Sequence, residues 1–474
     1  MADIAIIGGG VAGLAAGITA ELAGHHAVIY EKHGRAGGNL TGWDRDGYHI
    51  DNCIHWLTGT NEHTDLYRMW ETLGVLGNTA VYQPPSLYTF DLDGTRISLS
   101  RNIEKLANDL IACSPEDEPE IRAFLRAVRA MMVRDGTAEK ATFWNRLMTV
   151  PALARYAVMT TGELADRFSS PIIRGFLESL MGRQFSALAP VIVFATFCGD
   201  SGGIPFGSSC AMAERMVARF LSLGGSLRLH TGVKRINVLA DTALSLTLEN
   251  GEAEPFDYAV ITTDPAAAFG TLLEKNRMPR ALRKQYEKES AMRFSSYHCA
   301  FACDTTDLPF THDLIFPVPE ETRGTLMTDY LILREFSHEK TFSPDGKSII
   351  QAMIYCSEET ARRFLAWDME KELYREKKRE LCDAVQRVIE RKFPELDGKL
   401  SLLDCWTPAT YRRFTGSEIG SFMSFILPPL RLPKPISPRI PGLANVFLGT
   451  QWLRAPGGLP NAAKAGIAAV ACVR

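Results

Sequence analysis

The chain has 474 residues, of which 46% are hydrophobic and 23% are charged, and its formal net charge is −3. This length predicts two or three folding units, and the near-neutral charge gives no electrostatic basis for binding nucleic acid. The 10 cysteines include no C-x-x-C pair, and the closest two, Cys299 and Cys303, lack the paired spacing of a zinc site. Scattered cysteines of this kind predict buried thiols in a reducing compartment.

The N-terminus has no basic region of the kind that opens a signal peptide. The uncharged runs, such as residues 187–199, are shorter than the ~20 residues that span a bilayer. We therefore expect a cytoplasmic protein that at most contacts a membrane peripherally.

The N-terminal segment has the pattern of a strand–turn–helix–strand unit. Residues 3–7 (DIAII) and 27–30 (AVIY) predict buried parallel strands, and the Ala-rich helix between them is expected to end at Gly24. A G-x-G-x-x-G spacing opens that helix. Its glycines allow a tight turn, close approach to a pyrophosphate and close helix–strand packing, while the helix N-terminus attracts the phosphates. The predicted contacts here are Gly8, Gly10, Val11, Ala12 and Gly13.

An acidic residue, Glu31, ends the second strand. Its carboxylate is expected to accept hydrogen bonds from an adenosine ribose, and its charge would repel a 2′-phosphate. The glycine-rich stretch 33–43 (HGRAGGNLTGW) follows. Small residues there let backbone amides reach phosphates, and an arginine adds positive charge. The predicted dinucleotide contacts in this region are Glu31, Lys32, Arg35, Gly37, Gly38, Asn39 and Leu40.

Residues Arg35, Gly37, Gly38 and Thr41 match an R-x-G-G-x-x-[ST] segment. In this segment the chain resembles the flavoprotein family of phytoene desaturases, carotenoid isomerases, retinol saturases and their amine-oxidase relatives. Many members have a basic residue where this chain has Asn39. Two later blocks, 202–239 and 444–466, extend the resemblance over nearly the whole chain. The cofactor contacts that it implies in these blocks and in the return strand 256–265 are Val233, Thr263, Gly449, Gly458, Leu459 and Pro460.

The resemblance implies an α/β fold, with a Rossmann-like FAD-binding domain of the GR2 type and an inserted α+β substrate domain. The FAD-binding domain is expected to be discontinuous and the substrate domain to fill its gaps. A separate NAD(P)-binding domain is not expected, because no second G-x-G-x-x-G occurs. The predicted boundaries are 1–75, 202–270 and 431–474 for the FAD-binding domain, and 76–201 and 271–430 for the substrate domain.

Three stretches of the substrate domain give local predictions. Residues 86–100 predict a hairpin that turns at Asp93-Gly94. Residues 114–132 predict a helix capped by Ser114. Residues 140–200 are apolar and predict core helices, which could also line a hydrophobic substrate tunnel.

A later segment, 407–429, resembles the part of the family that covers the flavin. It runs into an apolar patch, FMSFILPPL (422–430), beside Arg431 and Lys434. This pattern is typical of a tunnel opening on a membrane surface, and equally of a buried strand and loop.

The stretch YHIDNCIHWLTGT (48–60) carries the densest chemistry. On a strand, Asp51, Cys53 and His55 would share one face, so a three-ligand metal site or a redox-active Cys53 are alternatives. The resemblance favours a wall of the flavin pocket, with Cys53 and Ile54 near the isoalloxazine and His55 or Trp56 lining the substrate side. His55 is then both a cofactor contact and the candidate general acid, and no metal is expected. The less favoured acids are Tyr411 and Glu418.

The predicted function is that of an FAD-dependent oxidoreductase acting on carbon–carbon bonds of a hydrophobic polyene or isoprenoid. Desaturation, isomerisation and saturation all stay open, and the electron acceptor or donor is unknown. One alternative is an amine-oxidase-like flavoprotein acting on a polar amine. Another is a non-catalytic prenyl-binding protein similar to Rab escort proteins and GDP-dissociation inhibitors.

Overall fold

The computed structural model describes residues 1–135, 143–287, 292–426, 428–430 and 434–473. Arg431 of the predicted membrane patch and residues 140–142 of the predicted helical stretch lie outside these ranges. The strands are β1 (Asp3–Ile7), β2 (His26–Tyr30), β3 (Gly42–Arg45), β4 (Tyr48–Asp51), β5 (Leu57–Thr58), β6 (Val81–Tyr82), β7 (Ser86–Leu92), β8 (Thr95–Ser100), β9 (Gly202–Pro205), β10 (Ser226–Arg228), β11 (Val233–Leu239), β12 (Thr242–Leu248), β13 (Ala253–Pro255), β14 (Tyr258–Ile261), β15 (Phe294–Cys303), β16 (Asp313–Pro317), β17 (Tyr330–Glu335), β18 (Ser348–Ser357), β19 (Leu400–Trp406) and β20 (Val446–Leu448).

The α-helices of the described ranges vary widely in length, and α3 to α8 follow one another with no strand between them. They are α1 (Val11–Leu22), α2 (Asp65–Thr72), α3 (Ile103–Cys113), α4 (Glu118–Asp135), α5 (Phe143–Ala157), α6 (Thr161–Ala165), α7 (Pro171–Met181), α8 (Leu188–Cys198), α9 (Ser208–Ser222), α10 (Pro265–Ala267), α11 (Arg280–Tyr286), α12 (Glu320–Leu326), α13 (Glu358–Trp367), α14 (Lys371–Lys392), α15 (Pro408–Thr415) and α16 (Leu459–Val470). No helix of the described residues has the length and apolarity needed to cross a bilayer.

A five-stranded parallel sheet in the order β10-β2-β1-β14-β20 holds the glycine fingerprint. Strand β1 is central because its apolar residues are buried on both faces, as parallel strands require. The strands come from three distant parts of the chain, and each part falls within one predicted segment of the FAD-binding domain. The boundaries of the two domains remain a prediction.

Helices α1 and α16 pack against each other with almost no space between their backbones. A side chain at Gly466 would overlap the carbonyl oxygen of Ala12 and lie 3.1 Å from the amide nitrogen of Ala16. Both helices follow strands of the same parallel sheet, so both begin at its carboxyl edge. Their two N-termini therefore lie on the same side of the fold.

The second large sheet has seven strands in the order β19-β15-β18-β17-β16-β7-β8. Helices α3 to α8 pack on one face and helix α14 packs on the other, each against its own hydrophobic core. The predicted hairpin at Asp93-Gly94 is confirmed, because β7 and β8 pair antiparallel around two residues with φ of 51° and 87°. The described residues of 140–200 contain α5 to α8, as the apolar pattern predicts.

The predicted Ser114 cap is wrong. The chain first makes a short 3-10 turn, Pro115–Asp117, and the side chain of Ser114 caps neither this turn nor helix α4. Its hydroxyl instead donates to Oδ2 of Asp117 at 2.7 Å. Asp117 also accepts the amides of Ser169 and Ser170, so a buried carboxylate, rather than the helix backbone, takes the serine hydroxyl.

Candidate functional site

A cavity of about 1830 Å³ lies between the two large sheets. Residues of the glycine fingerprint, of the 33–43 turn and of the C-terminal helix line one part of it, and the substrate-domain helices line another. Pockets for single small ligands run to roughly 1,000 Å³. The cavity therefore has room for a dinucleotide and a second, sizeable molecule.

Most of the predicted cofactor residues line this cavity, although their contacts with a cofactor remain predictions. Those that line it are Gly8, Gly10, Val11, Ala12, Glu31, Lys32, Arg35, Gly37, Gly38, Asn39, Leu40, His55, Val233, Thr263, Gly458, Leu459 and Pro460. Gly13, Ile54 and Gly449 do not line it.

The three residues that do not line the cavity have packing roles behind its wall. A Cβ at Gly13 would overlap the carbonyl oxygen of Gly8, and a Cβ at Gly449 would lie 2.8 Å from Cγ1 of Val260. The side chain of Ile54 is buried, and its amide donates to Oγ of Ser209 at 2.9 Å. These positions support the wall from behind.

Two uncapped helix termini lie where the phosphates are predicted to bind. Helix α1 begins after Gly10 with no acidic residue in its first turn, and no described side chain caps it. Gly38 approaches so closely that a Cβ there would lie 3.3 Å from Cα of Gly10. Helix α16 begins after Gly458 in the same way, without a cap from the described side chains. Free amides and two positive helix ends suit a pyrophosphate and polar flavin or ribityl oxygens.

Buried polar groups on the cavity wall also fit FAD. Glu31 accepts hydrogen bonds from the amides of Gly9 and His33 at 2.8 and 2.9 Å. These bonds orient its carboxylate, which keeps further lone pairs for the ribose hydroxyls. Oγ1 of Thr263 lines the same cavity and is buried without a hydrogen-bond partner among the described residues. The donors and acceptors present therefore match this cofactor, and they explain an otherwise costly buried hydroxyl.

The expected shared face of Asp51, Cys53 and His55 is wrong, because strand β4 ends at Asp51. Asp51 turns to helix α9, where its carboxylate accepts from the amide and the hydroxyl of Ser209 at 2.8 and 2.7 Å. Within the described ranges, ligand atoms of these three residues do not gather within 4.8 Å of one another. Burial, and then the charge of Asp51, raises the pKa of Cys53 to about 12, so its thiol stays protonated at neutral pH.

His55 lies on the cavity wall with a charged pair behind it. Its Nδ1 is 3.5 Å from Oδ2 of Asp313, whose two oxygens accept from Nε and Nη2 of Arg334 at 2.7 and 2.8 Å. Arg334 also donates to the carbonyl oxygen of Ile54 at 3.0 Å. The pair thus holds the backbone beside the imidazole, whose own Nδ1 lies near Asp313 but makes no hydrogen bond to the described residues.

The protonation state of His55 follows from its burial and from the charges around it. Burial opposes ionisation of Asp313, but the charge of Arg334 outweighs it, and the pKa of Asp313 is held well below its usual range. Burial, and then the charge of Arg334, lowers the pKa of His55. The ring is therefore neutral at pH 7. Its Nδ1 is buried, which leaves Nε2 as the nitrogen that a reactant in the cavity meets.

Sequence reasoning missed both members of this pair. Their signal was a charged residue at the end of each of two apolar runs, Asp313 in DLIFP and Arg334 in LILRE. Such a residue also occurs on many exposed strand faces. Only the pairing of β16 with β17, which places Asp313 opposite Arg334, reveals the buried pair.

A second polar group on the wall contains Tyr411, one of the predicted acids. Its hydroxyl donates to Oδ1 of Asn52 at 2.9 Å and lies 3.2 Å from Nε2 of His298. His298, which sequence reasoning missed, stacks on Trp406 with ring centroids 4.7 Å apart. The other predicted acid, Glu418, is not on the cavity wall and pairs with Arg293.

Another part of the cavity wall is apolar. It is formed by α5, α7, α8, β18 and the segment after Gly420, and three of its residues, Val158, Ile192 and Leu430, are exposed at 52%, 43% and 77%. The amide of Leu430 donates to the carbonyl oxygen of Ala157 at 2.9 Å, which joins the 428–430 segment to the end of α5. Further apolar residues of this part are Leu180, Phe185, Leu188, Val193, Met353, Phe422, Met423 and Ile426.

Comparisons with known proteins agree with this geometry. The model of the family described as flavin-containing amine oxidoreductase matches residues 11–474. The chloroplastic prolycopene isomerase of Daucus carota is 23% identical over 449 residues, covering 89% of this chain and 71% of the relative. The all-trans-retinol 13,14-reductase of Danio rerio is 21% identical over 483 residues, covering 88% and 76%. Cyclohexylamine oxidase of Brevibacterium oxydans shares the fold, with a TM-score of 0.61, 16% identity and coverage of 99% and 98%.

Proposed function

The chain belongs to the family of flavin-containing amine oxidoreductases and is an FAD-dependent enzyme, and we propose that it acts on carbon–carbon bonds of a hydrophobic polyene or isoprenoid. The observation that carries the proposal is the apolar part of the cavity, which continues directly from the dinucleotide part. Relatives that are named for a carotenoid isomerase and a retinol reductase support it.

The apolar wall favours a substrate that gains free energy when it leaves water. A long hydrocarbon gains roughly 25 cal/mol for each Å² that it buries, whereas a polar amine would lose its hydration there. We infer that the substrate lies along Leu180, Ile192 and Met353 and that its reacting carbons meet the flavin near His55.

Bound FAD supplies the transfer of a hydride to or from carbon. Residues of the chain accept the proton that is lost together with the hydride. A neutral imidazole backed by Asp313 accepts a proton at Nε2, because the carboxylate stabilises the imidazolium that forms. Arg334 keeps that carboxylate ionised and aligned. This arrangement suits loss of a proton from a carbon next to the one that loses a hydride, which is the requirement of desaturation.

Access from a membrane surface forms part of the proposal. Val158, Ile192 and Leu430 are apolar, exposed and part of the cavity wall. An opening with an apolar rim lets a water-insoluble substrate pass from lipid into the cavity without crossing water. We propose peripheral contact at this rim.

The test starts from the FAD-loaded enzyme under anaerobic conditions. Oxidised and reduced enzyme are incubated with a panel of polyenes and retinoids, and the products are analysed by mass spectrometry and by chromatography of geometric isomers. Loss of two hydrogen atoms indicates desaturation, gain of two indicates saturation, and a new isomer of equal mass indicates isomerisation. Reduction of the flavin by small amines, with no change in any polyene, would overturn the proposal in favour of an amine substrate.

A variant pair makes this test specific. Ala189→Trp narrows the apolar part of the cavity at α8, and Ile192→Leu changes the same wall without narrowing it. The tryptophan variant is expected to keep FAD and lose most polyene turnover, whereas the leucine variant keeps both. Equal turnover by the two variants would show that polyenes react elsewhere.

A further inference from the structure

Three cysteines that are far apart in the sequence meet in the core behind the seven-stranded sheet. Cys299 lies on β15, Cys405 on β19 and Cys382 on α14. Their sulfur atoms all lie within 4.8 Å of one another, and the sulfurs of Cys299 and Cys382 are 3.6 Å apart. All three side chains are buried.

The fold explains why they converge. Cys299 and Cys405 are direct partners in the antiparallel pairing of β15 with β19, so their side chains point to the same face of the sheet. Helix α14 covers that face, in the core that contains all three cysteines. The trio therefore depends on three elements packing in one arrangement.

The geometry points to a binding site for one soft metal cation. We propose that Cys299, Cys382 and Cys405 bind a single thiophilic d¹⁰ ion, with Cu(I) as the best match. Metal–thiolate bonds of about 2.3 Å place three ligand sulfurs roughly 4 Å apart around a central ion. The sulfurs already have about this separation, so binding needs only small rotations of the side chains.

The three cysteine ligands determine which metal ion binds best. Three thiolates without nitrogen or oxygen ligands favour soft cations over magnesium, calcium or manganese. Zinc prefers four ligands, and no fourth histidine, cysteine or carboxylate of the described residues completes the group within 4.8 Å. A dry, three-sulfur site is better suited to Cu(I), which accepts three ligands.

Binding exchanges protons and changes no oxidation state. Three metal–sulfur bonds form, three S–H protons pass to solvent, and the copper remains Cu(I). The site then carries negative charge, which a buried position penalises. Lys378 lies one helical turn before Cys382 on α14, so its positive charge lies on the same side of the helix as the trio. It therefore offsets part of that cost.

The test uses the purified, FAD-loaded enzyme under reducing, anaerobic conditions. Cu(I) is titrated in competition with a coloured Cu(I) chelator, and Cd²⁺ is added separately to follow the ultraviolet thiolate-to-metal charge-transfer band. We expect one ion per chain. The variants Cys299→Ser, Cys382→Ser and Cys405→Ser are each expected to weaken Cu(I) binding by at least about 100-fold.

Matched controls come from the same sheet. Cys303→Ser on β15 and Cys356→Ser on β18 remove buried thiols outside the trio and are expected to leave Cu(I) binding unchanged. A variant that no longer retains FAD is replaced by its alanine counterpart, so that misfolding does not imitate loss of a ligand. Equal affinity in trio and control variants, or fewer free thiols than the 10 cysteines because two of the trio form a disulfide, would overturn the proposal. Neither outcome depends on the substrate of the flavin site.

Discussion

Ser209 binds Asp51 at two points, with its amide 2.8 Å from Oδ2 and its hydroxyl 2.7 Å from Oδ1. The same hydroxyl oxygen accepts from the amides of Cys53 and Ile54 at 3.2 and 2.9 Å. One serine at the start of α9 therefore holds the whole segment that leads to His55.

Ser209→Ala is expected to destabilise the protein by about 2 kcal/mol, because it removes the hydroxyl that donates to Asp51 and leaves the buried amide of Ile54 without its acceptor. The change in free energy of unfolding can be measured by urea denaturation. Cys210→Ala, the next residue on the same helix, is the control and should cost less. A decrease in the free energy of unfolding no larger than that of Cys210→Ala would show that the Ser209 hydroxyl contributes little to stability.

Asp313→Asn is expected to cost about 3–5 kcal/mol, since it leaves the Arg334 guanidinium buried without a counter-charge. Replacing both residues, with Asp313→Leu and Arg334→Met, should recover part of this loss. Urea denaturation of the single and double variants tests the point. A double variant that is no more stable than the single one would contradict it.

The Asp313–Arg334 pair predicts that the folded protein loses stability at acid pH. The pKa of Asp313 is depressed in the folded protein, so its contribution to stability is present above its unfolded value, near 3.9, and is lost as pH falls through the folded value. Wild type should therefore lose more stability than the double variant when the pH is lowered below about 4. Parallel loss in both proteins would argue against this linkage.

For Asp264 we predict the opposite dependence of stability on pH. Burial raises its pKa to about 7, and its Oδ2 has no hydrogen-bond partner in the described part of the chain. Between about pH 4 and 7 the folded state holds a proton that the unfolded state has released, so stability falls as pH rises. Asp264→Asn keeps the Oδ1 cap on Ala266 and should be more stable than wild type at pH 8, by up to about 4 kcal/mol.

The gain of Asp264→Asn should disappear near pH 4, where wild type is also neutral at this position. Thermal unfolding of both proteins across this pH range measures it. The exposed Asp307→Asn is the control and should show no such trend. A constant difference at all pH values would exclude titration as the cause.

His55→Phe is expected to lower kcat for the proposed polyene reaction by roughly 100-fold, since it removes the proton acceptor, and to leave FAD content unchanged. Because the pKa of His55 is lowered, wild-type activity should persist below pH 6.5 before protonation of the ring abolishes it. The exposed His63→Phe is the control. Full activity of the His55 variant would assign the proton step to another group, such as His298.

Leu430→Glu is expected to reduce binding to lipid vesicles, because it places a charge on the apolar rim of the cavity. Flotation with vesicles of neutral and anionic lipid measures the bound fraction. Leu239→Glu changes another exposed leucine, 68% exposed, that does not line the cavity, and this variant should bind as wild type does. Equal loss in both variants would point to a general effect of charge.

The sequence by itself predicted most of the residues that line the dinucleotide part of the cavity. The roles predicted for Gly8, Gly10 and Glu31 depend on backbone conformation and one carboxylate within a single strand–helix–strand unit, so their spacing carries the information. The C-terminal loop at Gly458 works in the same way. Such motifs are readable because a few neighbouring residues specify the local geometry almost independently of the rest of the chain.

Only the tertiary structure decided which distant side chains share an environment. Asp313 and Arg334 stand behind His55, Ser209 clamps Asp51, and three cysteines converge, because strand register and helix packing bring together residues up to 280 positions apart. Ser114 shows the same dependence, since a buried carboxylate takes the hydroxyl that the local pattern assigns to a helix cap. Burial strengthens such pairings and penalises unpaired groups, and burial is a property of the packed fold rather than of any short segment.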